Sequence, residues 1–263
     1  MPDPLFEVSP RYLAASPLSD HHAHLAALAD SHTWALTTDN QTATVTSPCG
    51  RIILRHDHAA EGWRPHLVIT AHTGPGAPAR WRADIAGNVP VELLSALTTT
   101  ITTALEHDPD HLVYDIAAEP EGMIALPFTG DRWEVLDNWG LAGLHSHDGL
   151  AAILNRPQDS LGPPLQEDPD VAWHLLAAHP AGPLWAVSFT HAVPTFVVAS
   201  VLEQTLSPEP VVRPAGIALH PAFAPLMTAR PLTTTQPART PGVPPSPPGT
   251  ARSPRARQRK RRP

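Results

Sequence analysis

Two rhythms of apolar residues run along this 263-residue chain. At 34–38, 42–47, 51–55, 63–72 and 80–85 the chain is rich in Thr, Val and Ile, which predicts short strands. Turn-forming residues separate them: Asp39 and Asn40, then Pro48, Cys49 and Gly50, then Thr73, Gly74, Pro75 and Gly76. Beyond these, Val91, Leu94, Leu97, Ile101 and Ala104 recur at three- and four-residue spacing and predict a helix with one apolar face. Asn88 is its expected cap, and Pro90 falls in its first turn, where a missing N–H costs nothing. The polar side is mostly threonine, a mediocre helix former, so packing onto the sheet has to stabilise this helix. A shorter helix is expected earlier, where Ser19 and Asp20 precede His24, Leu25, Leu28 and Ala29.

The same pattern comes round again. A shift of 99 positions sets Trp34 against Trp133, Ser47 against Ser146 and Gly50 against Gly149. A shift of 104 then sets Trp81 against Trp185 and Val89-Pro90 against Val193-Pro194, so the second copy carries a net five-residue insertion. In that copy the first helix is expected at 119–130, broken by Gly122, Pro127 and Gly130. The last is expected at 193–206, more apolar than its counterpart through Phe196, Val197, Val198, Val201 and Leu202. A more apolar face suits a buried contact between copies. The predicted class is α+β: two tandem repeats of a small antiparallel sheet, each covered by a C-terminal helix, then a disordered tail. The expected division is 8–107, 108–206, a linker or packed extension at 207–230, and the tail at 231–263. Trp34, Trp81, Trp133 and Trp185, with Gly50 and Gly149, are the expected structural anchors. Trp63, Trp139 and Trp173 match less cleanly and are candidates for a binding surface.

Composition narrows the class. Apolar residues make up 42% of the chain and charged ones 16%, enough for a real core. No run approaches 18 uninterrupted apolar residues, and the acidic, proline-stiffened start does not resemble a secretory signal. The lone cysteine, Cys49, cannot form an intramolecular disulfide, so a cytoplasmic location is expected.

Three stretches carry a family resemblance. Ser9-Pro10-Arg11-Tyr12-Leu13-Ala14, Ser47-Pro48-Cys49-Gly50-Arg51, and Arg80-Trp81-Arg82-Ala83 leading to Val89-Pro90-Val91-Glu92 resemble the SPDY domain family. This is a group of domains of unknown function, number 317, from streptomycetes and their relatives, often in tandem copies. The resemblance covers roughly residues 8–206. The family's central Ser-Pro-Asp stands here as Ser47-Pro48-Cys49 and, in the second copy, as Ser146-His147-Asp148. The resemblance implies the tandem architecture and brings no activity with it.

Candidate chemistry is thin. His145, Ser146, His147 and Asp148 place two histidines at alternating positions, able to share a metal on one strand face. Yet His147 and Asp148 align with the turn residues Pro48 and Cys49, which favours a solvated hairpin turn. The pairs His56/His58 and His22/His24 do not align with that motif. Cys49 has His56 and His58 near it in sequence but Asp148 at its equivalent position, so the fold does not require a thiol there. Neither a Gly-x-Ser-x-Gly elbow nor a phosphate-binding glycine loop occurs. No catalytic, cofactor or metal residue is therefore assigned.

The end of the chain differs in kind. Residues 231–263 hold nine prolines and almost no large apolar residues, the composition of a disordered segment. Residues 239–263 carry eight basic side chains and no acid, leaving ten basic residues against 25 acids in the rest, a formal charge of −15. Arg252, Arg255, Arg257, Arg259, Lys260, Arg261 and Arg262 could contact phosphates non-specifically; equally, the tail could be only solvated or fold onto the acidic body. The leading expectation is a non-enzymatic interaction protein with a protein partner, without cofactor or membrane association. The alternatives are a nucleic-acid-associated protein linked to mobile elements and, more weakly, a metal-dependent hydrolase.

Overall fold

The computed structural model describes residues 3–60, 63–114, 132–138, 141–156, 170–180 and 182–232. Strand β1 (Leu5–Ser9) and a 3-10 turn (Arg11–Leu13) lead into helix α1 (Leu18–His32). Five strands follow: β2 (Ala35–Thr38), β3 (Thr42–Thr46), β4 (Ile52–Asp57), β5 (Leu67–His72) and β6 (Ala79–Gly87). Helix α2 (Val91–His107) and the short α3 (His111–Tyr114) come next. A second set of five strands is β7 (Trp133–Asn138), β8 (Leu141–Ser146), β9 (Ala151–Asn155), β10 (Val171–His179) and β11 (Gly182–Thr190). Helix α4 (Thr195–Leu206), β12 (Val211–Pro214), α5 (Ala215–Ala218) and β13 (Thr228–Pro231) close the described chain.

The period-2 pattern places side chains as a half-buried sheet requires. Strand β4 buries Ile52, Leu54 and His56, while β5 buries Leu67, Ile69 and Ala71, with the intervening residues on the other face. These buried rows join Leu93, Leu94, Leu97 and Ile101 of α2 and Val197, Val198, Val201 and Leu202 of α4 in one core cluster. Each such side chain taken out of water contributes about 1.5–3 kcal/mol.

The expectation of two small sheets is corrected by the strand order. One ten-stranded antiparallel sheet runs β2-β3-β4-β5-β6-β11-β10-β9-β8-β7. Its centre is the β6–β11 pair, with Ala83 opposite Phe189 and Gly87 opposite Trp185. Joining the two meanders here leaves neither β6 nor β11 with an unpaired edge.

Other corrections are local. Strand β5 starts at Leu67, because Pro65 has no N–H to give to a ladder. Helix α1 follows Pro17 rather than Ser19 or Asp20, and no side chain among the described residues caps it. Helix α2 follows Pro90, and the Val91 N–H donates to Oγ of buried Ser16 at 2.9 Å, so a residue 75 positions away supplies the cap expected from Asn88. Thr98 and Thr102, among the threonines of the polar side, lie buried, each donating its hydroxyl to a carbonyl one turn back. Strands β12 and β13 flank β1 in a three-stranded sheet. Pro231, assigned to the tail from composition, belongs to β13. The helix expected at 119–130 and the basic cluster from Arg252 to Arg262 lie outside the described residues.

Candidate functional site

The two turns aligned in the sequence share one construction. Ser47 Oγ accepts the Ile52 N–H at 3.0 Å, and Ser146 Oγ accepts the Ala151 N–H at 2.9 Å. The Gly50 N–H donates to the Ser47 carbonyl and the Gly149 N–H to the Ser146 carbonyl, each at 2.8 Å. Both glycines have positive φ, 67° and 69°, which a side chain would disfavour. Cys49 is exposed in the first turn, with Ser47 Oγ 3.4 Å from its sulfur. The length of β4 separates it from His56 and His58.

In the second turn Asp148 is a structural acceptor. It takes hydrogen bonds from Ser146 Oγ at 2.5 Å, the Leu150 N–H at 3.0 Å and the Tyr12 hydroxyl at 2.7 Å. Burial raises its pKa, but the bonds from Ser146 and Tyr12 outweigh burial and hold the carboxyl below its ordinary range. His145 and His147 both face the Glu134 carboxylate, at 3.3 and 3.2 Å.

All four aligned tryptophans are buried. Trp81 donates its indole N–H to the Leu112 carbonyl at 2.7 Å, and Trp185 donates to the Tyr12 carbonyl at 2.8 Å. Tyr12 also meets Trp133 edge-on, with ring centroids 5.6 Å apart. Trp173 packs partly buried against the core, Trp63 is exposed, and Trp139 lies outside the described residues.

On the face turned away from this core, the β6–β11 seam floors an open groove of about 660 Å³. Its floor is small, with Ala86 opposite Ala186 and Asp84 opposite Ser188. Trp63, Pro65, Leu176 and Pro183 supply apolar walls. Its polar groups engage one another: Arg82 Nε donates to Asp84 at 2.7 Å, and His174 Nδ1 lies 2.9 Å from Ser188 Oγ. Burial pushes the His174 pKa down.

A second place gathers histidines between α1 and the far end of β4, on the opposite face of the sheet. His21 Nε2 lies 2.7 Å from the Val89 carbonyl and must donate to it, which leaves Nδ1 to accept from His66 Nε2 at 3.1 Å. Burial, with His21 and His56 adding to it, pushes His66 down to about 3. Burial, then the neighbouring His58, His21 and His22, pushes His56 down to about 4. The ligating nitrogens of His22, His56 and His58 all lie within 4.8 Å of one another. Residue spacing alone pairs His22 with His24, yet positions i and i+2 of a helix do not share a face. His24 turns to Thr98 Oγ1 at 2.8 Å, while His22 turns to the rings of His56 and His58. The legible signal is in β4, where His56 continues the buried row of Ile52 and Leu54; His58 follows in the exposed turn just past the strand's end.

The SPDY family model, described as a domain of unknown function (DUF317), matches the chain twice, over residues 46–109 and 145–211. No curated protein and no solved structure matches the chain.

Proposed function

We propose, for a chain that belongs to the SPDY domain family, a non-enzymatic interaction protein built from two repeats of one unit. Each unit is a five-stranded meander whose closing helix lies over its buried face. The two join edge to edge, so that the seam presents a protein-binding groove no single unit possesses. Three things support the duplication: two family matches, a strand order that reads the same outward from the β6–β11 pair, and the equivalent turns at Ser47 and Ser146.

The observation that carries the interaction reading is the groove itself. It combines a floor of small side chains with apolar walls and an exposed tryptophan, Trp63. That is a surface for an apolar side chain of a partner protein. The test is recovery of partners by the full chain in the cells that make it, compared with Leu176→Arg and with the control Val135→Arg on outer strand β7. A partner lost with Leu176→Arg and kept with Val135→Arg supports the groove. Equal recovery by all three proteins, with folding intact, overturns it.

A second reading rests on the eight basic residues and no acid at 239–263: a nucleic-acid tether beside an acidic body. Duplex and single-stranded DNA and RNA, titrated across a salt series against the full chain and a chain ending at Arg230, test it. Binding by the full chain alone, fading steeply with salt, supports the tether. Equal behaviour of the two chains removes it.

A further inference from the structure

Strand β4 ends on a buried imidazole whose ring nitrogens no described protein group satisfies. His56 is 1% exposed, in the row that Ile52 and Leu54 fill with hydrocarbon, and among the described residues neither of its ring nitrogens has a hydrogen-bond partner. A neutral imidazole always carries one donor and one acceptor. Burying both unmade costs about 1–3 kcal/mol for each, and adding a proton instead would bury a charge. Among the described residues the adjoining His22 Nδ1 is also buried without a partner.

We propose that His22, His56 and His58 form a binding site for a divalent transition-metal ion of the zinc type. The three nitrogens converge from two elements, α1 and the end of β4, within 4.8 Å of one another. Tetrahedral coordination at about 2.0–2.1 Å sets nitrogens about 3.3 Å apart, so small side-chain rotations close the site. His56 is locked by burial, while His22 and His58 reach the surface and can adjust. Imidazole suits zinc, copper and nickel, whereas magnesium and calcium require oxygen ligands. Three histidines leave a fourth coordination position to water.

The third ligand sits on a braced loop. The His58 N–H donates to the Gln41 carbonyl at 2.7 Å, and the Ala59 N–H donates to Asp57 at 2.9 Å, so backbone bonds hold the loop that carries the third ligand. A bound ion would pin α1 to β4 across the buried His21–His66 pair. The site lies on the opposite sheet face from the seam groove, so it neither depends on the groove reading nor shares its test.

The test is metal binding by the purified full chain, freed of metal by a chelator and dialysed against Zn2+. It is read as bound zinc per chain and as the rise in Tm on adding Zn2+. We expect one zinc per chain. His22→Ala and His58→Ala should each weaken binding at least about 100-fold and abolish the Tm rise, while His145→Ala with His147→Ala leaves both unchanged. Because His56→Ala risks the fold, the variants are confined to the two surface-reaching ligands. The native chain is also read with Co2+, whose intense visible absorption marks a four-coordinate site and separates it from the weakly absorbing hydrated ion. Zinc binding that survives both single variants, that follows His145 and His147 instead, or that is absent from the native chain overturns the site, as does a Co2+ spectrum of the hydrated ion.

Discussion

Trp185 donates its indole N–H to the carbonyl of Tyr12, a residue 173 positions earlier, across 2.8 Å of buried space. Trp81 makes the matching bond to Leu112. Each tryptophan thus holds a segment that precedes the other set of strands, so the two halves are cross-tied rather than merely abutted. Tyr12 tightens the tie through its ring against Trp133 and its hydroxyl on Asp148. Burial, reinforced by Asp148, drives its phenol pKa well above the ordinary range.

Replacing either tryptophan by phenylalanine removes one buried hydrogen bond, strands a carbonyl and leaves a small void. Trp185→Phe and Trp81→Phe should each lower unfolding free energy by about 2–4 kcal/mol. Denaturant titration checks this. A loss below about 0.5 kcal/mol in either would show that the cross-tie contributes little.

The seam has a steric test. Gly87 has φ +71°, and a Cβ there would lie 2.2 Å from the Leu184 carbonyl oxygen, whereas Gly149, at φ +69°, has no described residue within 4 Å of such a Cβ. Gly149→Ala should cost about 1–2 kcal/mol, the left-handed backbone penalty alone. Gly87→Ala should cost at least twice that, because backbone on the partner strand must move. Equal thermal shifts for the two variants would contradict the close approach of β6 to β11.

Arg213 of β12 reaches back to the start of α2. Its guanidinium, 5% exposed, forks onto Glu92 at 2.8 and 2.6 Å and also donates to the Ala14 carbonyl. Burial raises the Glu92 pKa, but the hydrogen bonds and charge of Arg213 outweigh it and hold the carboxyl below its usual range. Arg213→Met should destabilise by about 3–5 kcal/mol, since it strands a partly buried carboxylate. Calorimetry checks this, and hydrogen exchange on that variant should show β1 and β13 losing amide protection; unchanged protection would refute the coupling.

Acid should unfold the metal-free protein through its histidines. His56 and His66 titrate at about 4 and about 3 in the folded chain, against about 6.5 when unfolded. Between about pH 6.5 and 4 the unfolded chain takes up protons that the folded chain refuses. Stability is therefore full above pH 6.5 and falls as pH drops through that window, on the order of 1 kcal/mol per pH unit for each histidine. A Tm that stays level from pH 7 to 4.5 would contradict this.

Much of the architecture was legible in local chemistry. The Ser47 and Ser146 turns announce themselves because a glycine at positive φ and a hydroxyl acceptor are needed within four residues. Helices α2 and α4 announce themselves because their apolar faces recur at helical spacing. The α2 cap was illegible, since Ser16 lies 75 residues from the N–H it accepts. The histidine cluster was half legible: His56 continues a buried strand row with His58 just beyond it, but nothing local places His22 of α1 beside them.

The chain's own order of residues determined the element types, the doubled pattern and the division between acidic body and basic end, because propensity, periodicity and charge act over a few residues. Only the tertiary structure decided that the two meanders share one sheet, that each tryptophan ties down the other half, and that three histidines meet. Those outcomes depend on strand-edge pairing and long-range packing, whose energies belong to surfaces formed only when distant segments come together.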